Sequence, residues 1–262
     1  MIINSYRFGG GVVNNAYVQA WLDRGTALSY NLPIQSDIDT LNTKWDAIVS
    51  GGFIPYIDVF YQSRGCGSIE MSTLNFLDPA NHQATLVNSP SWTNADGWSF
   101  NGTSSYVNTN FSPSLDATKA VDADQSFIYE MRTLDSSPNS TTYYCGTRDN
   151  LGGFGFLHCR MYDVNRGNIG FNGGAVFSPN YSAGKYYSVS ALGADIRRYV
   201  NGVFEGLTTL GTPHLSQGVI PIGCTRTNNG GGTNFVDNKC SIYIFGTDAI
   251  NTAGFQTIIS AS

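Results

Sequence analysis

Short runs of alternating apolar and polar residues, separated by turn-forming residues, constrain the fold of this chain more than any other feature. In residues 125–134, for example, Phe127, Tyr129 and Met131 fall on one face of an extended chain. Such alternation needs one buried face, which two antiparallel sheets packed face to face provide. The pattern predicts an all-β fold, an antiparallel β-sandwich with strands at residues 125–134, 142–147, 154–162, 185–192, 195–203, 218–224 and 239–245.

Helices are predicted at the two ends of the chain. Asn14 or Asn15 is suited to cap a first helix, and Ser36 is expected to cap a second, which ends at the glycines after residue 50. The second helix has one apolar stripe at helical spacing, formed by Ile38, Leu41, Trp45 and Ile48. Near the other end, residues 248–259 predict a short helix whose apolar residues face the sandwich.

We divide the chain into two parts on this basis. Residues 1–52 are expected to form an N-terminal arm and a two-helix adaptor, and residues 53–262 to form the sandwich. Two short helices are not stable alone, because the free-energy cost of nucleating a helix exceeds the stabilisation that a few turns provide. The adaptor must therefore pack on the sandwich, on itself or on another chain.

Composition excludes several kinds of partner. Apolar residues make up 41% of the 262, which is enough for a packed core, whereas only 13% are charged and the formal net charge is −5. Without a cluster of Lys or Arg, the chain lacks the electrostatic footprint of a protein that binds nucleic acid or an anionic membrane. No run approaches the roughly 20 apolar residues that span a bilayer, and the first residues lack a signal-peptide pattern.

Cysteine and histidine indicate no catalytic or metal chemistry. The five cysteines lack the spacing of metal ligands, so buried free thiols are expected. None of the three histidines lies in a nucleophile motif. We therefore predict no catalytic residue and no cofactor.

Three segments resemble the laminin-G-like branch of the concanavalin A-like lectin/glucanase superfamily. The first is residues 98–107, in which Phe100, Asn101 and Gly102 precede Tyr106. The second is the Asn201–Gly202 hairpin with its flanking residues, and the third runs from residue 220 to 245. Asn-Gly between extended runs favours a tight hairpin. The resemblance covers about residues 86–245 and implies a concanavalin A-like jelly roll.

The front of the chain, from about residue 19 to residue 90, is similar to a segment that precedes such domains in tailed-phage virion proteins. This resemblance implies a non-enzymatic fibre, spike or capsid-decorating protein on the virion surface, assembled in the host cytoplasm. Its N-terminal segment would contact other virion proteins, its sandwich would bind host polysaccharide, and it would form a homo-oligomer. A secreted bacterial carbohydrate-binding or adhesion module is the alternative.

A glucanase-like glycoside hydrolase is the second alternative, since the same superfamily contains such enzymes. They carry two Glu around an Asp on one strand, and retaining hydrolysis needs two carboxyls about 5 Å apart. Asp58 is the nearest equivalent here, but no Glu lies beside it, and Glu130 is expected to face solvent. We therefore predict that the chain is not an enzyme.

Polar and aromatic residues in two predicted loops are the candidates for contact with a glycan. They are Arg148, Asp149, Asn150, Asn228, Asn229 and Phe235. Laminin-G-like folds often hold one Ca²⁺ at the rim of a sheet, which makes Asp149 and Asp163, with Asn150 and Asn165, candidate ligands. Asp and Asn also form turns without any metal, and that interpretation is favoured for these four residues.

Overall fold

The computed structural model describes residues 13–133, 142–148, 157–163, 166–171, 174–178, 182–209, 214–227, 232–233 and 235–260. It confirms the predicted antiparallel β-sandwich. Sheet A has eight strands in the order β13 (Val203–Thr209), β12 (Asp195–Val200), β11 (Lys185–Leu192), β6 (Asp124–Met131), β17 (Lys239–Gly246), β4 (Gly97–Ser99) and β3 (Ser91–Thr93), with β1 (Ile57–Gln62) paired to the later part of β17.

Sheet B faces the inner side of sheet A. It contains β10 (Gly174–Ser178), β9 (Arg166–Phe171), β8 (Leu157–Asp163), β7 (Thr142–Arg148), β14 (Pro221–Ile222), β5 (Tyr106–Asn108) and β2 (Thr85–Val87), with β15 (Thr225–Thr227) and β16 (Gly232–Thr233) beside β7. Asn201 and Gly202 both have positive φ angles, 50° and 73°, and join β12 to β13 as the Asn-Gly motif predicts. The sequence pattern missed β13, because it treated residues 195–203 as one strand.

Helices lie mainly at the two ends of the chain: α1 (Ala16–Ala27), α2 (Gln35–Ser50), α3 (Ile69–Ser72), α4 (Pro113–Asp116) and α5 (Ala253–Ser260), with 3₁₀ turns at Ile54–Tyr56 and Asp248–Ile250. Asn15 caps α1 by accepting a hydrogen bond from the backbone of Tyr17. The prediction that Ser36 caps α2 is wrong. The carbonyl of Ile34 already accepts from two later N–H groups, so the helix begins at Gln35. Within the described ranges, no helix combines the length and apolarity needed to cross a bilayer.

The main core lies between the two sheets. Phe127, Tyr129 and Met131 point into it from β6, as their alternation predicts, and meet Tyr144 and Cys145 of sheet B. Tyr129 and Tyr144 are in ring contact, with centroids 5.9 Å apart. This layer of aromatic side chains holds the two sheets together.

A second core lies on the outer face of sheet A, under the helices. Trp21 of α1 stacks on Phe76 with a centroid distance of 4.4 Å, and Trp45 of α2 contacts Phe76 at 5.3 Å and Phe60 of β1 at 5.1 Å. Ile250 and Phe255 bury themselves in the same cluster from the C-terminal end. The apolar stripe of α2 is therefore covered within the chain, and the stripe by itself gives no argument for a partner subunit.

Glu130 is buried, which corrects the expectation that it faces solvent. It does point away from the inter-sheet core, but α2 and α5 cover that outer face, and only 2% of its surface is exposed. It forms an ion pair with Arg132 at 3.3 Å. The alternation pattern placed Glu130 on the correct face of sheet A. The expected exposure to solvent was wrong because the helices cover that face.

Lys44 is the second charged residue in this interface. It lies on α2, is 2% exposed, and donates from Nζ to Oε1 of Gln62 over 3.2 Å. Burial, reinforced by the positive charge of Arg64, lowers the pKa of Lys44 from 10.5 to about 8. Removing an ammonium from water is costly, and one neutral acceptor does not offset that cost.

The substitution Lys44→Met removes the titrating ammonium. It therefore shows how the lowered pKa of Lys44 affects the free energy of unfolding. Between the folded pKa of about 8 and the unfolded value of 10.5, the unfolded chain binds more protons, so wild-type stability rises with pH. We expect the unfolding free energy of the wild type, relative to that of Lys44→Met, to increase by about 3 kcal/mol across this window in urea titrations. Lys119→Met is the matched Lys-to-Met change at an exposed position. If the difference between the wild type and Lys44→Met does not change with pH, the lowered pKa of Lys44 is contradicted.

Candidate functional site

The predicted glycan ligands follow two strands, β7 and β15, that pair with each other in sheet B. β15 runs parallel to the end of β7, and the register pairs Thr227 with Arg148. Because parallel strands end at the same edge, the last described residues of β7 and β15, Arg148 and Thr227, lie side by side in sheet B. The side chain of Arg148, and all of Asp149, Asn150, Asn228 and Asn229, lie outside the described residues. Their role in binding a glycan stays a prediction.

Phe235 is the one predicted ligand residue whose side chain is described. It is partly buried, and its ring lies 6.1 Å from that of Tyr106 at an angle of 42°. The backbone of Gly232 passes so close that a Cβ there would be 3.0 Å from the Phe235 ring. Phe235 therefore supports the rim of sheet B, and only its remaining exposed part is available to a ligand.

The side chains of the candidate calcium ligands lie outside the described structure, so their role stays a prediction. Asp163 ends β8, where its backbone pairs with Arg166, but its side chain is not described. Asp149, Asn150 and Asn165 lie outside the described residues. Among the residues that are described, no three His, Cys, Asp or Glu side chains are grouped so as to hold a metal ion.

The structure reveals a different surface, on the outer face of sheet A beyond the helices. The register places Tyr199 opposite Phe204 and Arg197 opposite Leu207, with all four side chains on the outer face. We call these four residues the platform. Phe204 is 54% exposed and Leu207 is 50% exposed, and the Tyr199 and Phe204 rings meet at 5.8 Å and 69°. The platform thus exposes an aromatic ring and an aliphatic side chain on paired strands, next to the polar groups of Arg197 and Tyr199.

Polar groups border the platform on the side of α5. Nη1 of Arg197 lies 3.5 Å from Oδ2 of Asp248. Burial, together with the carboxylate of Asp248, raises the pKa of Tyr199. The phenol therefore stays protonated, and donors and acceptors lie at fixed positions next to exposed rings.

The turn that joins β12 to β13 fixes this surface against the helical layer. Gly202 packs so closely on α5 that a Cβ there would be 2.7 Å from the Cα of Ala253. The Asn-Gly hairpin was recognisable from the sequence, but the surface beside it was not, because β13 was not assigned. Phe204, two residues after the Asn-Gly turn, was the residue that could have indicated this surface.

Asp58, the residue nearest to a hydrolase pattern, has a structural role. It lies at a bulge in β1, and its carboxylate accepts from the backbone N–H groups of Thr118, Lys119 and Ala120 at 2.7, 2.9 and 2.9 Å. The hydroxyl of Thr118 adds a fourth bond at 3.2 Å. These bonds attach the segment after α4 to the edge of β1.

Comparison with solved structures supports the fold. A sialidase of Trypanosoma rangeli, in complex with the inhibitor DANA, matches 94% of this chain with a TM-score of 0.52 and 13% sequence identity. This chain spans only 38% of the sialidase. Domain 4 of the extracellular arabinanase AbnA from Geobacillus stearothermophilus, in complex with arabinotriose, matches 79% of this chain and 98% of its own length, with a TM-score of 0.49 and 9% identity.

The sialidase match supports the β-sandwich, and at such low identity it shows the fold alone. No family model matches the sequence. No curated protein matches it either. Function must therefore be argued from the surfaces of this chain.

Asp58→Asn tests the structural role of this carboxylate. The amide retains one acceptor oxygen but points N–H donors at a backbone donor, so we expect the unfolding free energy to fall by about 1–3 kcal/mol in chemical denaturation. Thr118→Val keeps the three backbone bonds to Asp58 and removes the hydroxyl bonds to Asp58 and from the exposed Nζ of Lys119, so it should cost less. Unchanged stability, together with β-glucan hydrolysis by the wild type that Asp58→Asn abolishes, would instead support the glucanase alternative.

Proposed function

We propose that this chain is a non-enzymatic, glycan-binding β-sandwich that binds a neutral sugar on the platform. The exposed pair of Phe204 and Tyr199 is the observation that carries the proposal. A hexopyranose has one face rich in C–H groups and a rim of hydroxyls, and it fits a surface with an apolar base and a polar border. Phe204 and Leu207 supply the base, and Arg197 and Asp248 supply the border.

Several features of the platform favour recognition. Its residues lie on paired strands, so binding costs little backbone ordering. The Tyr199 ring is in edge contact with the Phe204 ring, with centroids 5.8 Å apart. Buried aromatic groups account for much of the energy in such interfaces, because they contribute large areas at small entropic cost.

The four platform residues lack the carboxylates that hydrolysis needs, which favours binding over hydrolysis. The four platform residues include no carboxylate, whereas most glycoside hydrolases need two on opposite sides of the bond they cleave. Asp248 borders the platform, but it is paired with Arg197.

We further propose that the chain belongs to a bacteriophage virion surface protein, a fibre, spike or capsid decoration, and binds glycans of the host surface. The resemblance of residues 19–90 to phage virion proteins supports this assignment. The compact packing of α1 and α2 on sheet A leaves the platform accessible at the opposite end of the sheet from the N-terminal helices. Detection of the chain in purified phage particles by mass spectrometry would support the assignment, and its absence from particles of a phage that encodes it would contradict it.

Phe204→Ala tests the platform directly. On an array of neutral and acidic bacterial surface polysaccharides, we expect the wild type to bind and the variant to lose at least about tenfold in affinity, the factor given by about 1.4 kcal/mol. Val203→Ala is the matched control, because Val203 is 59% exposed on the same edge strand but points to the opposite face. Equal loss in both variants, or no wild-type binding to any polysaccharide, would contradict the proposal.

A further inference from the structure

A pocket of about 360 Å³ lies between α2 and the loop that follows β1. Its lining includes Asp37 and Thr40 of α2, Gln62 at the end of β1, Arg64 just after it, and Asn94 in the turn between β3 and β4. It lies near the β3–β4 edge of sheet A, whereas the platform lies at the β13 edge. Its volume is in the range of pockets that bind small molecules.

Arg64 gives the pocket a positive group with no partner. Within the described part of the chain, its guanidinium forms no hydrogen bond and no ion pair. By contrast Arg132, Arg197 and Arg198 each lie within 4.0 Å of a carboxylate. A guanidinium presents several N–H donors in one plane, which match the two oxygens of a carboxylate.

Behind Arg64 is a second positive charge that is incompletely solvated. Lys44 is buried and its ammonium has one acceptor, Oε1 of Gln62, although it carries three N–H donors. Gln62 itself is 3% exposed, lines the pocket, and donates from Nε2 to the carbonyl of Arg64 over 3.0 Å. Gln62 therefore links the buried ammonium to the pocket wall, and an anion in the pocket would be stabilised by both charges.

The opposite wall carries groups suited to hydroxyls. Nδ2 of Asn94 donates to Oδ2 of Asp37 over 2.9 Å, and Oδ1 of Asn94 accepts from the backbone of Gly67 over 3.0 Å. These bonds hold both side chains in place and leave Oδ1 of Asp37 as an acceptor. A carboxylate so close to Arg64 would repel a simple anion, but it would accept hydrogen bonds from a ligand that also carries hydroxyls.

We propose that this pocket is a second binding site, for a hexuronate, a sugar that bears one carboxylate and several hydroxyls. The carboxylate of the ligand binds Arg64, and its hydroxyls bind Asp37 and Asn94. This site is separate from the platform and would extend recognition to acidic polysaccharides, with the two surfaces at opposite edges of the same sheet.

The test is a titration of the full chain with D-glucuronate and D-galacturonate, followed by NMR chemical shifts. D-glucose and D-galactose are the matched neutral sugars. We expect saturable shifts with at least one uronate, localised near residues 62–65 and 94, and an affinity at least about tenfold weaker for the neutral sugar of the same configuration. Equal affinity for the neutral sugars, or no shift with either uronate, would overturn the proposal.

Arg64→Gln is the decisive variant, because the amide keeps polarity and removes the charge. It should weaken uronate binding at least about tenfold while leaving polysaccharide binding at the platform unchanged. Phe204→Ala should do the reverse, so that failure of one site is distinguishable from failure of the other. Arg197→Gln is the charge-matched control, and uronate binding that falls equally in both arginine variants would overturn the proposal. Circular dichroism and thermal unfolding check that each variant is folded.

Discussion

Burial of sheet A on both of its faces is the constraint on which the rest of this structure depends. Its central strand β6 contributes Phe127 and Tyr129 to the core between the sheets, and Ile128 to the core under the helices. A strand with apolar residues on both faces is stable only between two layers. The helices at both ends of the chain provide the second layer, so the protein is a sandwich with a helical cover.

This cover determines which surfaces are available for function. Helices α1 and α2 bury Trp21 and Trp45 against Phe76, so their apolar faces are used for packing within the chain. The cover reaches the β12–β13 hairpin only at its turn, where Gly202 meets α5, and it leaves Phe204 exposed and Tyr199 partly exposed. Near Arg64 the helical cover and the sheet do not pack fully against each other, and the pocket lies in this gap. Both candidate sites thus lie at the borders of the helical layer.

The cover also has an energetic cost. Lys44 and Glu130 are both buried where it meets the sheet, and a charge there must be paired or shift its pKa. Glu130 has Arg132 as an ion-pair partner, while Lys44 hydrogen bonds only a neutral amide, and burial lowers its pKa to about 8 although the charge of Glu130 partly opposes this.

The sequence alone predicted the all-β class, the positions of β6, β7, β8, β11, β12 and β17, a cap of α1 at Asn14 or Asn15, and the Asn-Gly hairpin, because alternation, capping and turn chemistry are local properties. It could not determine where the helices pack, and so it placed Glu130 in solvent. The platform and the pocket were also beyond it, because each combines residues far apart in the chain: Arg197 with Asp248, and Asp37 with Asn94. Only the tertiary structure decides such pairings, since they depend on the order of strands and on the layer that covers them.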